Sequence, residues 1–441
     1  MAEGTEKAGG GLIPSLTTIS QNSFALRSSR AFQERHSRAL ETELSNGYSA
    51  ERPARRAIEG RTVTHPAYPA ARAAALRVRP HYDQHLAKRR VDDKGIIGLL
   101  PDVETIEAII DVAFWASLRR EETYTPRVSL AFVGPTQIHM PLVFERPVPF
   151  ESQALTRLGP AVERPGIHLC LSRQNGDLCI WGATRSLPQS CFVLEVVAPG
   201  LLVIKYSRGD DSSKFVNVAV LQGDEIKVID QNAATAPDHP ELLTSLLGLQ
   251  TEVNTPDSVN VLIQLAVSMR AHGRGGSLLV VPAASEVWKE SVLQPIAYSV
   301  APAFCALVDL MREDPGERLR RRWQEALRRV VDAIAGLTAV DGATIISNKH
   351  ELLAFGAKII RRAGWDQVGR VIVTEPIEGT APVIAGPEQL GGTRHLSAAQ
   401  FAHDQRDAIA LVASQDGRFT VLGWSPCENI VYANRIETLL L

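Results

Sequence analysis

The stretch Val340-Asp341-Gly342-Ala343-Thr344-Ile345-Ile346 sets a carboxylate on a glycine turn directly before an apolar run. A short run of this kind, bounded by turn residues, reads as a buried strand. Asp-Gly at a strand start is in the first place a turn signature. A carboxylate held there can also take a divalent metal, because hard cations prefer oxygen ligands. Working outward, Ser277-Leu278-Leu279-Val280-Val281 is a second buried strand, bounded by Gly275-Gly276 and Pro282. Thr255-Pro256-Asp257 starts a helix, with Thr as N-cap and Pro at the first helical position, and Val259, Leu262, Ile263, Ala266 and Met269 form its apolar stripe. A long amphipathic helix is predicted from Pro315 to Ala335, with Leu319, Trp323, Leu327, Val330 and Ile334 inward. A hairpin follows near the end, from Ala408–Val412 through Ser414-Gln415-Asp416-Gly417 to Phe419–Leu422. Helices alternating with strands predict an α/β layer fold, a mixed sheet with flanking helices.

A second segment, Leu390-Gly391-Gly392-Thr393-Arg394-His395-Leu396-Ser397-Ala398-Ala399, passes from a glycine pair into an alanine-bearing helix. Backbone amides at such a helix start, together with the helix dipole, suit an anion. Thr393 adds a hydroxyl, and Arg394 a guanidinium fork matched to phosphate oxygens. His395 offers a metal ligand, a proton carrier or a phosphate hydrogen bond. The same residues would equally serve as a plain helix start with an exposed Arg and His.

Before residue 250 the pattern differs. Residues 1–94 read as a largely flexible region, poor in large aliphatic residues, with a helix possible at Phe24–Leu44. Residues 95–232 read as an α+β domain built on an antiparallel sheet. Asp102–Arg120 is helical by its spacing of Val103, Ile106, Ile110, Phe114 and Trp115, and Asn175-Gly176 between apolar runs signals a hairpin. The strands Phe192–Val197, Leu201–Tyr206 and Phe215–Leu221 follow, and Gln231–Pro240 is a polar linker. Cys170, Cys179 and Cys191 lie in apolar strands and read as core thiols rather than zinc ligands. Arg185, Lys205 and Lys214 read as exposed strand cations.

The formal net charge of −2 argues against a whole-chain polyanion binder. The arginine-rich stretch 318–329 is interspersed with Glu317, Glu325 and Asp332 and lacks a stacking platform, so it reads as a solvated helix face, and no nucleic acid is expected. The longest apolar stretch, Cys191–Tyr206, is broken by Glu195, Pro199-Gly200 and Lys205. It falls short of the roughly 20 residues a membrane span needs. Five cysteines without a C-x-x-C pair point away from a disulfide scaffold. No membrane partner and a cytoplasmic setting are expected.

Asp-Gly-Ala before an apolar strand, followed by Gly-Thr-Arg-His and a small-residue helix, resembles the diadenylate cyclase domain. The flanks Val261–Met269, Arg274–Leu279 and Asp407–Gly417 agree with that family in order and type, and the resemblance covers about 250–425, with an extension to 441. It implies two domains face to face, in a homodimer or higher oligomer, joining two ATP into cyclic di-AMP with loss of two pyrophosphates. Asp341 would bind Mg or Mn, Gly342 and Ala343 would approach the nucleotide, and Gly392, Thr393, Arg394 and His395 would hold the triphosphate, with His395 and Glu388 as further metal ligands. Leu396 stands where the family usually has a second arginine, Gln415 stands where some members have an acidic residue, and Glu388 sits at altered spacing. These departures keep open a nucleotide-binding sensor without catalysis. Residues 95–232 resemble the sensor-like domain called DACNV, through Pro101–Ile106, Trp181–Arg185, Phe192–Gly200 and Lys214–Val218.

Overall fold

The computed structural model describes residues 66–87, 98–120, 126–207, 215–230, 257–283, 285–318 and 320–441. The possible helix at 24–44, Lys214 and the linker at 231–240 lie outside these residues. The first half has the order α1 (Pro69–Ala87), α2 (Val103–Leu118), β1 (Ser129–Phe132), β2 (Leu142–Pro149), α3 (Ser152–Val162), β3 (His168–Gln174), β4 (Asp177–Thr184), β5 (Phe192–Ala198), β6 (Leu201–Ser207), β7 (Phe215–Gln222) and β8 (Glu225–Val228).

These strands form one eight-stranded sheet, ordered β2-β4-β3-β1-β5-β6-β7-β8. It is mixed rather than antiparallel, because β1 pairs with β3 in parallel. The connection between them carries β2 and the helix α3, long enough for a crossover. Asp102 caps α2 by accepting a hydrogen bond from the Thr105 amide, so that helix starts where its capping residue allows. Asn175 and Gly176 both take positive φ, 53° and 93°, as a two-residue hairpin of the I′ kind needs.

The flexible region expected up to residue 94 contains an ordered helix. Along α1, Ala70, Ala71, Ala74, Ala75, Val78 and Tyr82 are buried in the same core as α2 and the sheet. Small side chains let a helix approach its neighbour closely, so an alanine face can bury without large aliphatic residues. Two tyrosines fasten the ends. The Tyr68 ring stacks on Phe114 at 3.7 Å, and the buried Tyr82 hydroxyl donates to the Lys205 carbonyl.

The second half runs α4 (Asp257–Ala271), β9 (Gly276–Val281), β10 (Tyr298–Phe304), α5 (Ala306–Met311), α6 (Pro315–Arg318), α7 (Arg321–Leu337), β11 (Ala343–Ser347), β12 (Leu352–Ala357), β13 (Val371–Thr374), β14 (Val383–Ala385), α8 (Thr393–Asp404), β15 (Ile409–Ala413), β16 (Phe419–Ser425) and β17 (Ile430–Arg435). Its nine-stranded mixed sheet has the order β10-β12-β11-β9-β15-β16-β17-β13-β14. Every residue of β9 is buried, and its alternate side chains serve opposite cores. Leu278 and Val280 pack with α4 and α7, whereas Leu279 and Val281 pack on the side of α8. The long helix expected from Pro315 to Ala335 is broken. Arg320 is extended (φ −76°, ψ 140°) and heads α7 as a separate helix.

The halves are stitched together. The Ile229 and Ile377 backbones form an antiparallel bridge, flanked by Asp230 N–H to Pro376 O at 3.0 Å and Glu378 N–H to Val228 O at 2.9 Å. His81 on α1 lies 2.8 Å from the Glu378 carboxylate. Beyond β17, Ile436, Leu439 and Leu440 are buried in the C-terminal core, while the Thr438 carbonyl accepts from Asn217 Nδ2 on β7 at 2.8 Å. Among the described residues no helix is long and apolar enough to cross a membrane.

Replacing Tyr82 with Ala removes a fully buried ring and its hydroxyl bond, and the expected cost is about 3–5 kcal/mol. A urea titration followed by far-UV circular dichroism measures it. A midpoint unchanged from wild type would mean that α1 does not belong to the folded domain.

Candidate functional site

The parallel pairing of β9 and β11 sets Ala343 beside Ser277, and the antiparallel pairing of β9 and β15 sets Gly276 beside Ala413. The turns Arg274-Gly275, Asp341-Gly342 and Ser414-Gln415 therefore meet at one end of the sheet. Arg394, in the first turn of α8, reaches the same end. A Cβ on Gly275 would lie 2.9 Å from Arg394 Nη1 and 3.3 Å from both Ala413 O and Gln415 Cγ. Gly275 also has φ +70°, so glycine there provides both the turn and the room for the guanidinium. Gln415 donates through Nε2 to the Arg274 carbonyl at 3.3 Å, closing the same corner.

Gly342 (φ +111°) packs on the next strand, where a Cβ would meet the Gly356 carbonyl carbon at 2.5 Å. Ala343 is buried at the head of β11, while the Asp341 side chain, 87% exposed, projects outward. Its carboxylate is bonded by the ammonium of Lys358, just beyond β12. Lys358, with Arg394 behind it, holds the Asp341 carboxyl below its usual range. The carboxylate is thus already matched to a cation and ionised at neutral pH.

His395 is placed differently from Arg394. Its ring lies over Gly391, where a Cβ would sit 2.6 Å from Nδ1. The ring is almost wholly buried, and its Nε2 has no hydrogen-bond partner among the described residues. Burial pushes the imidazole below its ordinary pKa; Asp416 opposes that shift, and Arg435 and Arg418 reinforce it. Gly392 caps α8 without a side-chain bond, and Gly392 and Thr393 are exposed. Glu388 folds back on its own turn, its Oε1 filling the space that a side chain on Gly386 would need.

The structure therefore brings Asp341, Gly342 and Arg394 together with Gly275 and Lys358. Among the described residues, no group of three or more His, Cys, Asp or Glu side chains is arranged to hold a metal ion. The chemistry of the donors fits a metal only at Asp341, an outward carboxylate that can share a cation with substrate phosphates, as Mg²⁺ sites commonly do. Lys358 is not legible in the sequence because β12 carries no simple alternation. The apolar run Leu352-Leu353-Ala354-Phe355 was the available signal.

The N-terminal half holds a second polar group. Lys205, expected to be an exposed strand cation, is buried and pairs with Glu195 at 2.6 Å, because the sheet face it shares with Val193, opposite the helices, is covered as well. Beside it, Ser129 Oγ and His168 Nδ1 lie 2.8 Å apart, and burial pushes the His168 imidazole down to about 4. Arg185 is exposed. Cys170 and Cys191 are fully buried, with thiols pushed up by burial, and serve as core.

Residues 97–185, from the segment before α2 to the end of β4, match the family model described as the probable sensor domain DACNV. The match takes in the first four strands of the eight-stranded sheet and ends before β5. No curated protein matches the chain.

The unfolded chain protonates His168 near its usual pH 6.5, whereas the folded chain resists until about pH 4. Stability is therefore expected to fall on acidification through that window, by about 1.4 kcal/mol per pH unit. Urea midpoints from pH 7 to 4 should show a flatter decline for His168→Asn than for wild type. Parallel declines would place the titration elsewhere.

Proposed function

We propose that this chain is a sensor-linked diadenylate cyclase, whose C-terminal domains face one another in a homodimer and join two ATP into cyclic di-AMP and two pyrophosphates. The observation that carries the reading is the meeting of Asp341-Gly342, Arg394 and Gly275 at one end of the nine-stranded sheet, from segments far apart in the chain. The match of residues 97–185 supports it, because this sensor domain is found in diadenylate cyclases.

In this reading Arg394 and the exposed amides at the start of α8 bind phosphate oxygens, and Gly342 and Ala343 let the nucleotide approach the backbone. Asp341 would hold Mg or Mn, which supplies charge neutralisation at the phosphates. Each ribose 3′-hydroxyl oxygen would attack the α-phosphorus of the opposite nucleotide and expel pyrophosphate. Chemistry of this kind rests on positioning and charge neutralisation rather than on a covalent enzyme intermediate. Because each domain carries one nucleotide, the reaction needs two domains. The sensor half would act on the site through the backbone bridge at Ile377 and the tail beyond β17.

A second reading, a nucleotide-binding sensor module without catalysis, is favoured by two side chains. Leu396 offers no second cation, and Lys358 neutralises Asp341. The two readings separate in one experiment. Full-length protein incubated with ATP and Mn²⁺ is expected to yield cyclic di-AMP by mass spectrometry. Asp341→Asn is expected to lower that yield on the order of a hundredfold while retaining ATP binding. Binding without product from the wild type assigns the module reading, and equal product from the variant removes Asp341 from the chemistry.

A further inference from the structure

We infer that Tyr298, stacked on Phe355 beside the Asp341 turn, is the face on which the base of a bound nucleotide stacks. The inference rests on the nucleotide reading above and extends it to β10 and β12, which that reading does not use. Strand β10 is the edge of the nine-stranded sheet and, among the described residues, pairs with β12 alone. Tyr298 opposes Phe355 across this pair, the rings parallel within 6° and 4.8 Å apart. One face of Tyr298 is thus covered, yet the residue is 51% exposed. A large aromatic ring is left open to solvent at the margin of the site.

Gly356 fixes the ring next to that site. It has φ +63°, and a Cβ there would lie 2.8 Å from Tyr298 Cδ2 and 3.5 Å from the Asp341 carbonyl oxygen. A side chain at this position would push the ring away from the turn. Glycine removes the obstacle, and ring and turn close on the same point. From the edge inward the strands run β10, β12, β11 and β9, so the residues follow as an exposed aromatic, an ammonium, a carboxylate and a guanidinium: Tyr298, Lys358, Asp341 and Arg394.

A nucleotide presents groups complementary to all three kinds of side chain. Its flat base suits an aromatic face, its ribose hydroxyls can donate to a carboxylate, and its phosphates suit Lys358 and Arg394. Inorganic phosphate chains would use only the cationic end, and an apolar ligand only the aromatic end. Stacking tolerates any base, so this face adds affinity without choosing between purines.

The test compares ATP with inorganic tripolyphosphate, each titrated calorimetrically into the full chain with Mg²⁺ present. Wild type is expected to bind ATP more tightly, on the order of tenfold beyond what the ribose hydroxyls add, and that margin is the stacking contribution. Tyr298→Ala should lose this advantage and leave tripolyphosphate binding unchanged, whereas Tyr298→Phe should keep it. Tyr298→Leu, which covers Phe355 without a flat ring, should behave like the alanine variant at a wild-type melting temperature. ATP binding that Tyr298→Ala and Tyr298→Leu leave unchanged overturns the stacking face alone. Failure of the wild type to bind ATP overturns the nucleotide reading and the stacking face together.

Discussion

The parallel pairing of β9 with β11 is the constraint on which the candidate site depends. Two strands that run the same way start at the same end, so the residues entering them, Gly275-Gly276 and Asp341-Gly342, are brought side by side. A parallel pair needs a long connection, and here it carries β10 and the helices α5, α6 and α7. That connection places Tyr298 at the sheet edge and Trp323, Leu327 and Val331 in the core beneath. Strand β15, antiparallel to β9, finishes where β9 begins and adds Gln415 to the same end. The helix start carrying Arg394 then closes over a corner already made of backbone.

The site's electrostatics follow from this geometry. One exposed carboxylate lies against two cations, and both cations come from elements other than its own turn. The imidazole of the Gly-Thr-Arg-His element is drawn inward over Gly391 instead. Neighbouring residues at a helix start point in different directions, since successive side chains are about 100° apart around the axis. Arg394 and His395, adjacent in sequence, therefore cannot both serve the surface of the corner. One meets solvent and the other the interior.

How far all this could be read from the sequence depended on how each residue is satisfied. The buried strands Ser277–Val281 and Ala343–Ser347 were legible because both faces are covered, leaving continuous apolar runs. The hairpin at Asn175-Gly176 was legible because only particular residues adopt its two positive φ values readily. The helix α1 was not, since its buried face is alanine and its anchors are two tyrosines, while expectations of order rest on large aliphatic residues. Lys205 read as exposed because a single cation in a strand usually is, and its partner Glu195 stands on a different strand. Lys358 and Tyr298 were invisible for a related reason. Strands with register shifts, such as the edge strand β10 and its neighbour β12, blur the two-residue alternation that reveals a strand.

The segment after β17 has a bearing on how the two halves can be inherited. Ile436, Leu439 and Leu440 fill one core, while the carbonyl of Thr438, set between them, satisfies an asparagine of the other sheet. A recombination event that exchanged either half for a foreign counterpart would leave the buried Asn217 amide facing a chain not shaped to answer it. Shuffled as separate cassettes, the halves would lose a hydrogen bond and a fitted surface at once. Any residue at position 438 would supply that carbonyl, so what the join holds constant is the backbone path of the last turn rather than its side chains.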